Sequence, residues 1–368
     1  MPFKIIDNRR ESRLRRAVES DGGAHGALTR GALSAAAALY GAGLRSRMRK
    51  RRAMPAQDAG APVISVGNVT AGGTGKTPVC LYLARQLHDA GFRTGVATRG
   101  YGRQQSEPVI ATPESNPGWK VTGDEPQLYL ASGRVRAVAV DPLRNRGAAA
   151  LASEHGCGAI LLDDGFQFVT LKRAADIVCL DARNPFGFNR LLPRGELREP
   201  VSALERATHF WITRATPETA TQTQTLLDTL KKRHPGIPII LSRHEPECLV
   251  PIGGSSDILE PAFLAGKTVC AFSAIGAPES FEQTVETLSG ARSLAIRHTD
   301  HHAFTDQELR RADALAAEHG CGAVVTTEKD AVRIPGAFKP ELPWFALRIS
   351  LRVTQGAEHI DELIESLQ

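Results

Sequence analysis

Gly67–Thr77 reads GNVTAGGTGKT. A short apolar run, Val63-Ile64-Ser65-Val66, precedes it and fits a buried parallel strand. Pro78–Ala90 follows, with Val79, Leu83 and Leu87 at helical spacing and Gly91 as a stop. Strand, glycine-rich loop, Gly-Lys-Thr and helix, in this order, form the arrangement of a phosphate-binding P-loop. Gly72, Gly73 and Gly75 have no side chains, so main-chain N–H groups can curl around phosphate oxygens. Lys76 can reach the outer phosphates, Thr77 can place its hydroxyl on Mg²⁺, and the helix N-terminus favours negative charge. Pro78 falls in the first helical turn, where a missing N–H costs little.

The standard pattern, Gly-x-x-x-x-Gly-Lys-[Ser/Thr], would place its first glycine at Thr70. A chance Gly-Lys-Thr is common, and a plain glycine-rich turn before a helix is the bland reading. The strand before and the helix after favour phosphate binding. The phosphate-binding set is Thr70, Gly72, Gly73, Thr74, Gly75, Lys76 and Thr77.

Working outward, several strands end in chemistry-bearing residues. Val96-Ala97 begins a strand that leads into Thr98-Arg99-Gly100-Tyr101-Gly102-Arg103. Arg99 and Arg103 on this glycine-rich loop suit anionic groups; a loop with solvated charge is the alternative. Gly123-Asp124-Glu125-Pro126 opens a helical run. Its carboxylates are helix caps or acid/base groups, and both readings stand. Ala159–Leu162 is an apolar strand ending in Asp163 and Asp164, the form of a Mg²⁺-associated second phosphate-binding element, and Gly165-Phe166-Gln167 turns the chain. Further strands at Val135–Val140, Ile177–Leu180, His209–Thr213 and Ile237–Leu241 alternate with helices, which argues a mostly parallel α/β sheet. Its ligands should gather at the carboxyl ends of the strands.

A second unit starts near Leu264. It has strands at Lys267–Phe272 and Ala323–Thr327, helices at Glu279–Leu288 and Asp306–His319, and the cluster Asp300-His301-His302 between them. The hexapeptide Glu-His-Gly-Cys-Gly-Ala occurs at 154–159 and again at 318–323, each time ending a helix and starting a strand. That is one helix-to-strand joint used twice, not evidence of duplication. No partner His or Cys pattern around His301 and His302 supports zinc. One of the two histidines either sits on a surface loop or orients a carboxylate across a cleft.

The chain has 368 residues, enough for about two domains. It is 42% hydrophobic and 23% charged, ordinary for a globular protein. Aromatic residues are only 5%, which argues against base stacking on nucleic acid. The six cysteines are scattered, with no Cys-x-x-Cys, and read as reduced core residues. Net charge is +5, but residues 1–60 hold 13 Lys/Arg against 5 Asp/Glu, so the remainder is about −3. Within that basic arm, residues 26–44 are small, apolar and helical in tendency. They are followed by Arg45, Arg47, Arg49, Lys50, Arg51 and Arg52. A span of ~20 apolar residues is needed to cross a bilayer, and this one is interrupted by Arg30. A helix lying on an anionic membrane surface and an Ala-rich core helix with a basic tail are the two main readings, and a basic arm on nucleic acid is a third. Pro55–Gly60 reads as a linker.

Taken together, GNVTAGGTGKTP, TRGYGR, GDEP, LLDDGFQ, LLPRGELREP, FSAIGAPESF, DHHAFT and TTEKDAV, in this order and spacing, resemble the tetraacyldisaccharide 4′-kinases of lipid A biosynthesis. The resemblance covers roughly Val63 to Val332. GDEP and LLDDGFQ, with the threonine-substituted loop, are specific to that family. The N-terminus departs from the family pattern in being longer, richer in arginine and less hydrophobic.

The resemblance implies ATP-dependent phosphorylation of the 4′-hydroxyl of a tetraacylated glucosamine disaccharide 1-phosphate, with Mg²⁺. It implies a peripheral protein on the cytoplasmic face of the inner membrane that binds an acylated disaccharide lipid and no nucleic acid. By motif, Asp124 matches the catalytic carboxylate and His301 its partner. Asp163, Asp164 and Glu125 join Thr77 as metal-site residues, Lys76 serves the transferring phosphate, and Arg99, Arg103, Gln167 and Arg198 serve the substrate. The expected fold is α/β: a P-loop NTPase-like, mostly parallel sheet, a second smaller α/β domain and an N-terminal membrane-associated helix. The expected divisions are 1–60, 61–250 and 251–368. From another class, a P-loop NTPase switch or assembly factor with a basic arm is the alternative, although no Asn-Lys-x-Asp motif for guanine is present.

Overall fold

The computed structural model describes residues 5–7, 24–253 and 257–368. The arginine run of residues 9–16 lies outside them. Strands are β1 Ile5–Asp7, β2 Val63–Gly67, β3 Thr94–Thr98, β4 Val109–Ala111, β5 Ala137–Val140, β6 Ala159–Asp163, β7 Ala175–Asp181, β8 His209–Thr213, β9 Ile239–Ile252, β10 Val269–Ser273, β11 Leu294–Arg297, β12 Ala323–Thr327 and β13 Trp344–Gln355. Helices that matter here are α1 Ala24–Arg52, α2 Lys76–Asp89, α3 Asp124–Ala131, α4 Arg144–Ser153, α5 Ala220–Arg233, α6 Pro278–Ser289, α7 Asp306–Glu318, α8 Glu328–Ala331 and α9 Glu358–Glu365.

All the strands join one 13-stranded sheet, in the order β1-β11-β10-β12-β13-β9-β8-β7-β2-β6-β3-β5-β4. Each half is parallel apart from β4 at the edge, and the halves meet where β9 and β13 pair antiparallel. Register explains why the halves face each other. β8 pairs with the start of β9, Ile239–Leu241, and runs with it. β12 pairs with the start of β13, Trp344–Leu347, whose partners on β9 are Leu249–Ile252 at its far end. The halves therefore hang from opposite ends of one ribbon, with their strand carboxyl ends pointing toward its middle. Ligand-binding loops of α/β sheets sit at those ends, so two such edges are brought face to face.

The first half buries Val79, Leu83 and Leu87 of α2, the helical stripe expected from their spacing, against Ile64, Val66, Leu161 and Ile177. Ile360, Leu363 and Ile364 of α9 belong to the same core. The chain thus leaves the first half along β9 and returns to it after β13, and a division at residue 250 falls within β9. The second half closes over Phe272, Val324, Phe338 and Trp344, with Trp344 Nε1 donating to buried Asp313 at 2.8 Å.

Three expectations need correction. The helix expected over 26–44 runs on through the basic segment to Arg52. Pro55–Gly60 is not a free linker: Gln57 N–H donates to Thr170 O at 2.9 Å, and Lys172 N–H donates to Gln57 O at 2.8 Å, so the segment adds a bridge beside the turn after β6. The strand expected over 237–241 continues to Ile252. Pro246 and Pro251 argue against a ladder strand, but the register breaks between Arg348 and Ile349, opposite Pro246, and absorbs the missing donor. None of the six cysteines is bridged, as expected.

α1 lies on the first half. Leu33, Ala37, Gly41 and Met48 form its buried stripe. A Cβ on Gly41 would stand 2.9 Å from Leu191 Cδ1, so the helix passes close to this side chain, which would have to shift for any larger residue. Tyr40 Oη donates to Arg198 O at 3.0 Å. Leu39, on the outer face, is 76% exposed, and the basic residues from Arg45 to Arg52 are exposed as well. No helix among the described residues is long and apolar enough to cross a membrane.

Candidate active site

The loop after β2 is held from three sides. Thr213 Oγ1 donates to Thr74 O at 2.8 Å, and Arg214 donates to Gly73 O at 2.9 Å while pairing with Asp181 at 2.5 Å. Asn68 Nδ2 donates to Thr74 Oγ1 at 2.9 Å. Ala71 N–H donates to Glu196 O at 2.6 Å, and Arg198 N–H donates to Val69 O at 2.7 Å. These last bonds explain Thr70. It is 3% exposed and bridged to Leu197 as extended chain, and it is not among the residues with positive φ, so no glycine is required there. Gly75, by contrast, has φ +81° and stands directly before α2. The turn that aims the loop amides therefore does need glycine.

Lys76 and Thr77 open α2 beneath this loop. Lys76 Nζ lies 3.4 Å from Asp164, whose carboxylate also accepts two bonds from Arg198 Nη1, at 2.9 and 2.7 Å. Burial pushes Asp164 up, but Lys76 and Arg198 outweigh it and hold the acid at about 2. Its neighbour goes the other way. Asp163 is 2% exposed and accepts from Thr98 Oγ1 at 3.3 Å. Burial, with Glu125 and Asp164 beside it, raises its pKa to about 7. Glu125 Oε1 in turn accepts from Thr77 Oγ1 at 3.5 Å. A hydroxyl and three carboxylates, one of them reluctant to ionise, form an all-oxygen donor set with an excess of negative charge. Those are the terms on which a hard divalent cation is bound. Thr77, Asp163, Asp164 and Glu125 fit Mg²⁺.

The facing wall comes from the second half. His301, in the loop after β11, has φ +60° and donates its main-chain N–H to Ala274 O at 3.2 Å. Its Nδ1 lies 2.9 Å from Asp124 Oδ2, across the cleft from α3. Tyr101 covers it edge-on at 5.1 Å between ring centroids. Asp124 is 3% exposed. Burial would raise it, but His301, Lys329 and Arg333 together hold it below the usual carboxylate range. Of the five non-glycine residues with positive φ among the described residues, three, Asp164 (51°), Arg214 (56°) and His301 (60°), lie at this site, and Phe188 and Asn189 lie in the loop after β7.

Two participants on this wall escape motif reading. Lys329 Nζ is 3.2 Å from His301 Nε2 and 3.7 Å from Glu125. Arg333 is 2% exposed, pairs with fully buried Asp330, donates to Ala274 O at 3.2 Å and lies 3.8 Å from Asp124. Thr327 Oγ1 and Ala274 N–H both donate to Asp330, which ties α8 to the end of β10. The signal was present in Thr326-Thr327-Glu328-Lys329-Asp330: a strand end followed by a capped turn bearing three charges.

The proposed substrate residues are unequal. Arg198 reaches the acidic cluster. Gln167 Nε2 donates to Asn68 O at 2.8 Å and so braces the loop. Arg103 spends its guanidinium on the carbonyls of Ser106, Glu107 and Val140. Arg99 is exposed at the end of β3. Arg144, unread in the sequence, is 8% exposed with Nε unpartnered. Burial lowers its pKa and nearby Asp164 opposes that, so this cation also faces the acidic cluster. His302 turns away from Asp124, to Glu308 at 3.0 Å, where Glu308 also caps α7 through Thr305.

The family model for tetraacyldisaccharide-1-P 4′-kinase matches residues 29–368. A tetraacyldisaccharide 4′-kinase of Anaeromyxobacter dehalogenans is 40% identical over 302 residues, covering 80% of this chain and 78% of that protein. One from Elusimicrobium minutum is 35% identical over 313 residues, covering 83% and 82%. The crystal structure of LpxK from Aquifex aeolicus in complex with ATP aligns with a TM-score of 0.69 at 26% identity, covering 92% of this chain and 99% of that one. Matches of this extent, over a chain whose loop, acidic pair and Asp-His contact all line one cleft, leave a single assignment: the chain belongs to the tetraacyldisaccharide-1-P 4′-kinase family.

Proposed function

We propose that this chain transfers the γ-phosphate of ATP to the 4′-hydroxyl of a tetraacylated glucosamine disaccharide 1-phosphate. The observation that carries the mechanism is the Asp124–His301 hydrogen bond at 2.9 Å, formed between the two halves of the sheet and one residue from the Glu125–Thr77 contact. Asp124 takes the proton from the sugar hydroxyl, and His301 orients it. Lys76 leaves Asp164 for the phosphates when nucleotide enters. Together with the loop amides it stabilises the charge that develops during transfer. Thr77, Asp163, Asp164 and Glu125 would hold Mg²⁺, which when bound supplies charge neutralisation on the phosphates. Arg198, Arg99 and Arg144 present cations to anionic groups of the substrates.

The division we propose is a nucleotide lobe and a smaller second lobe joined by the β9/β13 ribbon, with the end of the chain belonging to the first. Because His301 comes from the second lobe, movement about the ribbon would assemble or release the base. We further propose that α1 docks on the cytoplasmic face of the inner membrane. Its exposed Leu39 and the arginine run from Arg45 are apolar and basic on one helix, which supports contact with an anionic surface.

The test is phosphotransfer from γ-labelled ATP with Mg²⁺ to the tetraacyl disaccharide 1-phosphate in detergent. Label on the lipid, lost in Lys76→Ala and Asp124→Asn, is the expected result. ATP hydrolysis without labelled lipid would return the chain to the NTPase-switch reading.

A further inference from the structure

Lys329 stands at the start of α8, and its ammonium nitrogen is 3.2 Å from His301 Nε2. An ammonium has three N–H donors and no lone pair, so Lys329 is the donor and Nε2 the acceptor. Nε2 then carries no proton. A neutral imidazole keeps its proton on the other nitrogen, so Nδ1–H is the group that donates to Asp124 Oδ2. We propose that Lys329 is a positioning residue that locks His301 in the neutral Nδ1–H tautomer, so that Asp124 is oriented by a hydrogen bond from a neutral imidazole. What Asp124 does in that orientation rests on the kinase reading above; the tautomer does not.

The surroundings show why a lock is needed. Asp300 Oδ1 lies 3.8 Å from His301 Nε2 and 3.9 Å from Lys329 Nζ. Without the lysine, Nε2 would face the Asp300 carboxylate while Nδ1 faces Asp124. An imidazole between two carboxylates favours the doubly protonated cation. A cation bonded to Asp124 would hold that carboxylate's electron pair and make it a poorer base. The main chain and a neighbouring ring hold the imidazole in place. Its backbone is pinned at φ +60° and bonded to Ala274, and Tyr101 packs against the ring. Lys329 is itself placed by a short, capped helix. Thr327 Oγ1 accepts the Asp330 N–H at 3.1 Å and donates to its carboxylate at 2.8 Å.

The experiment is long-range proton–nitrogen NMR on the full chain labelled with ¹⁵N-histidine, with the His301 signals identified by their absence in His301→Ala. The wild type should show a protonated Nδ1 and an unprotonated, acceptor-type Nε2. Lys329→Met should show both nitrogens protonated at neutral pH while unfolding at an unchanged temperature. Lys329→Arg, which keeps a cationic donor, should restore the wild-type pattern. In phosphotransfer, Lys329→Met should lose about ten- to a hundred-fold in kcat, by analogy with the loss of a partner that orients a metal-bound histidine. Its KM values for ATP and lipid should stay within about three-fold, because Lys329 itself is assigned to neither the phosphates nor the metal and its pair with Glu125 is long, at 3.7 Å. A wild-type spectrum with the proton on Nε2, or a Lys329→Met spectrum identical to wild type, overturns the proposal. The spectra need no substrate. A wild type that fails to phosphorylate lipid would therefore overturn the kinase reading while the tautomer is still tested.

Discussion

On the P-loop wall the charges are held loosely. Lys76 reaches Asp164 at 3.4 Å, Asp164 is partly open to solvent, and Arg198 lies beside both. On the facing wall they are locked. Arg333 and Asp330 are almost wholly buried, as is Asp124, the first-half carboxylate that faces them across the cleft, and His301 is bonded through both ring nitrogens and its main chain. The difference follows from what each wall must meet. A nucleotide brings its own negative charge and has to displace an existing partner, so the receiving cation must be free to switch. A base that takes one proton at one oxygen has to be in place beforehand, since misplacement by about 1 Å can cost a hundred-fold in rate. The contrast predicts that substitutions of the loose P-loop charges will change binding, and that those of the locked Asp124–His301 contact and its supports will change turnover or the fold.

The largest effect tests that division directly. Asp124→Asn should lower kcat by about 10³–10⁴, the upper part of the usual range for general-base loss, with KM for ATP little changed. Lys76→Ala should lower both ATP affinity and kcat. His301→Ala should lose about 10²-fold in kcat alone, through misorientation of Asp124. Wild-type activity in His301→Ala would break the comparison, because the second lobe would then contribute nothing to the chemistry.

Stability should divide the walls next. Arg333→Met leaves Asp330 buried without its cation, and breaking a buried pair costs about 3–5 kcal/mol. Arg198→Met removes a pair whose side chains are 28% and 36% exposed, so about 0–1 kcal/mol is expected. Urea unfolding of the two variants measures the gap; equal losses would mean that the P-loop wall is as rigid as its partner.

How much of this was legible depended on distance along the chain. The P-loop, Asp163 and Asp164 were readable because strand, loop and helix are contiguous and each residue type has a local reason. Thr70 looked like a defect only because the segment that braces it, Glu196–Arg198, is more than a hundred residues away. The β9/β13 ribbon was missed for a related reason. Two prolines broke the strand pattern, and the register break that accommodates them is set by the partner strand. Asp124 and His301 are separated by 177 positions, so their contact came from family motifs and not from spacing. Lys329 sat in a recognised motif and Arg333 one residue past it, but their roles depend on what stands opposite, which no local pattern encodes.

Within the P-loop wall the two adjacent aspartates should respond oppositely to pH. Asp163 rises from an ordinary 3.8 to about 7. The folded chain therefore keeps a proton that the unfolded chain gives up first. Stability from this group is complete below about pH 4, declines as pH rises, and is lost above about 7. Asp164, lowered to about 2, contributes in the opposite sense: its stability is present above about pH 4 and is lost as pH falls through 2. Asp163→Asn has no charge to bury and should melt higher than wild type at pH 8 without metal, on the order of 5 °C. Mg²⁺ should close that gap by stabilising the wild type alone, since a metal takes the carboxylate and releases its proton. A wild-type melting temperature that is flat from pH 5 to 8 would contradict the burial argument for Asp163.

The smallest effect concerns the outer surface of the P-loop half. α1 touches the site through the Tyr40 bond to Arg198 O, the Arg51 bond to Gln167 O at 3.2 Å and the Gly41 approach to Leu191. Its two faces should therefore separate cleanly. Leu33, at 8% exposure, is part of the packed stripe, and Leu33→Ser should lower the melting temperature. Leu39 points outward, and Leu39→Ser should leave melting unchanged. If α1 docks on lipid, Leu39→Ser should still weaken sedimentation with anionic vesicles by roughly ten-fold, because burying a leucine side chain in an apolar phase is worth about 1.5–3 kcal/mol. Added salt should weaken binding further by screening the exposed run from Arg45 to Arg52. Activity on substrate dispersed in detergent should not change, because the detergent removes the need for a surface. Equal vesicle binding by Leu39→Ser and wild type, with salt still releasing both, would mean that the arginines alone hold the chain to lipid and that the helix lies above the headgroups without entering them.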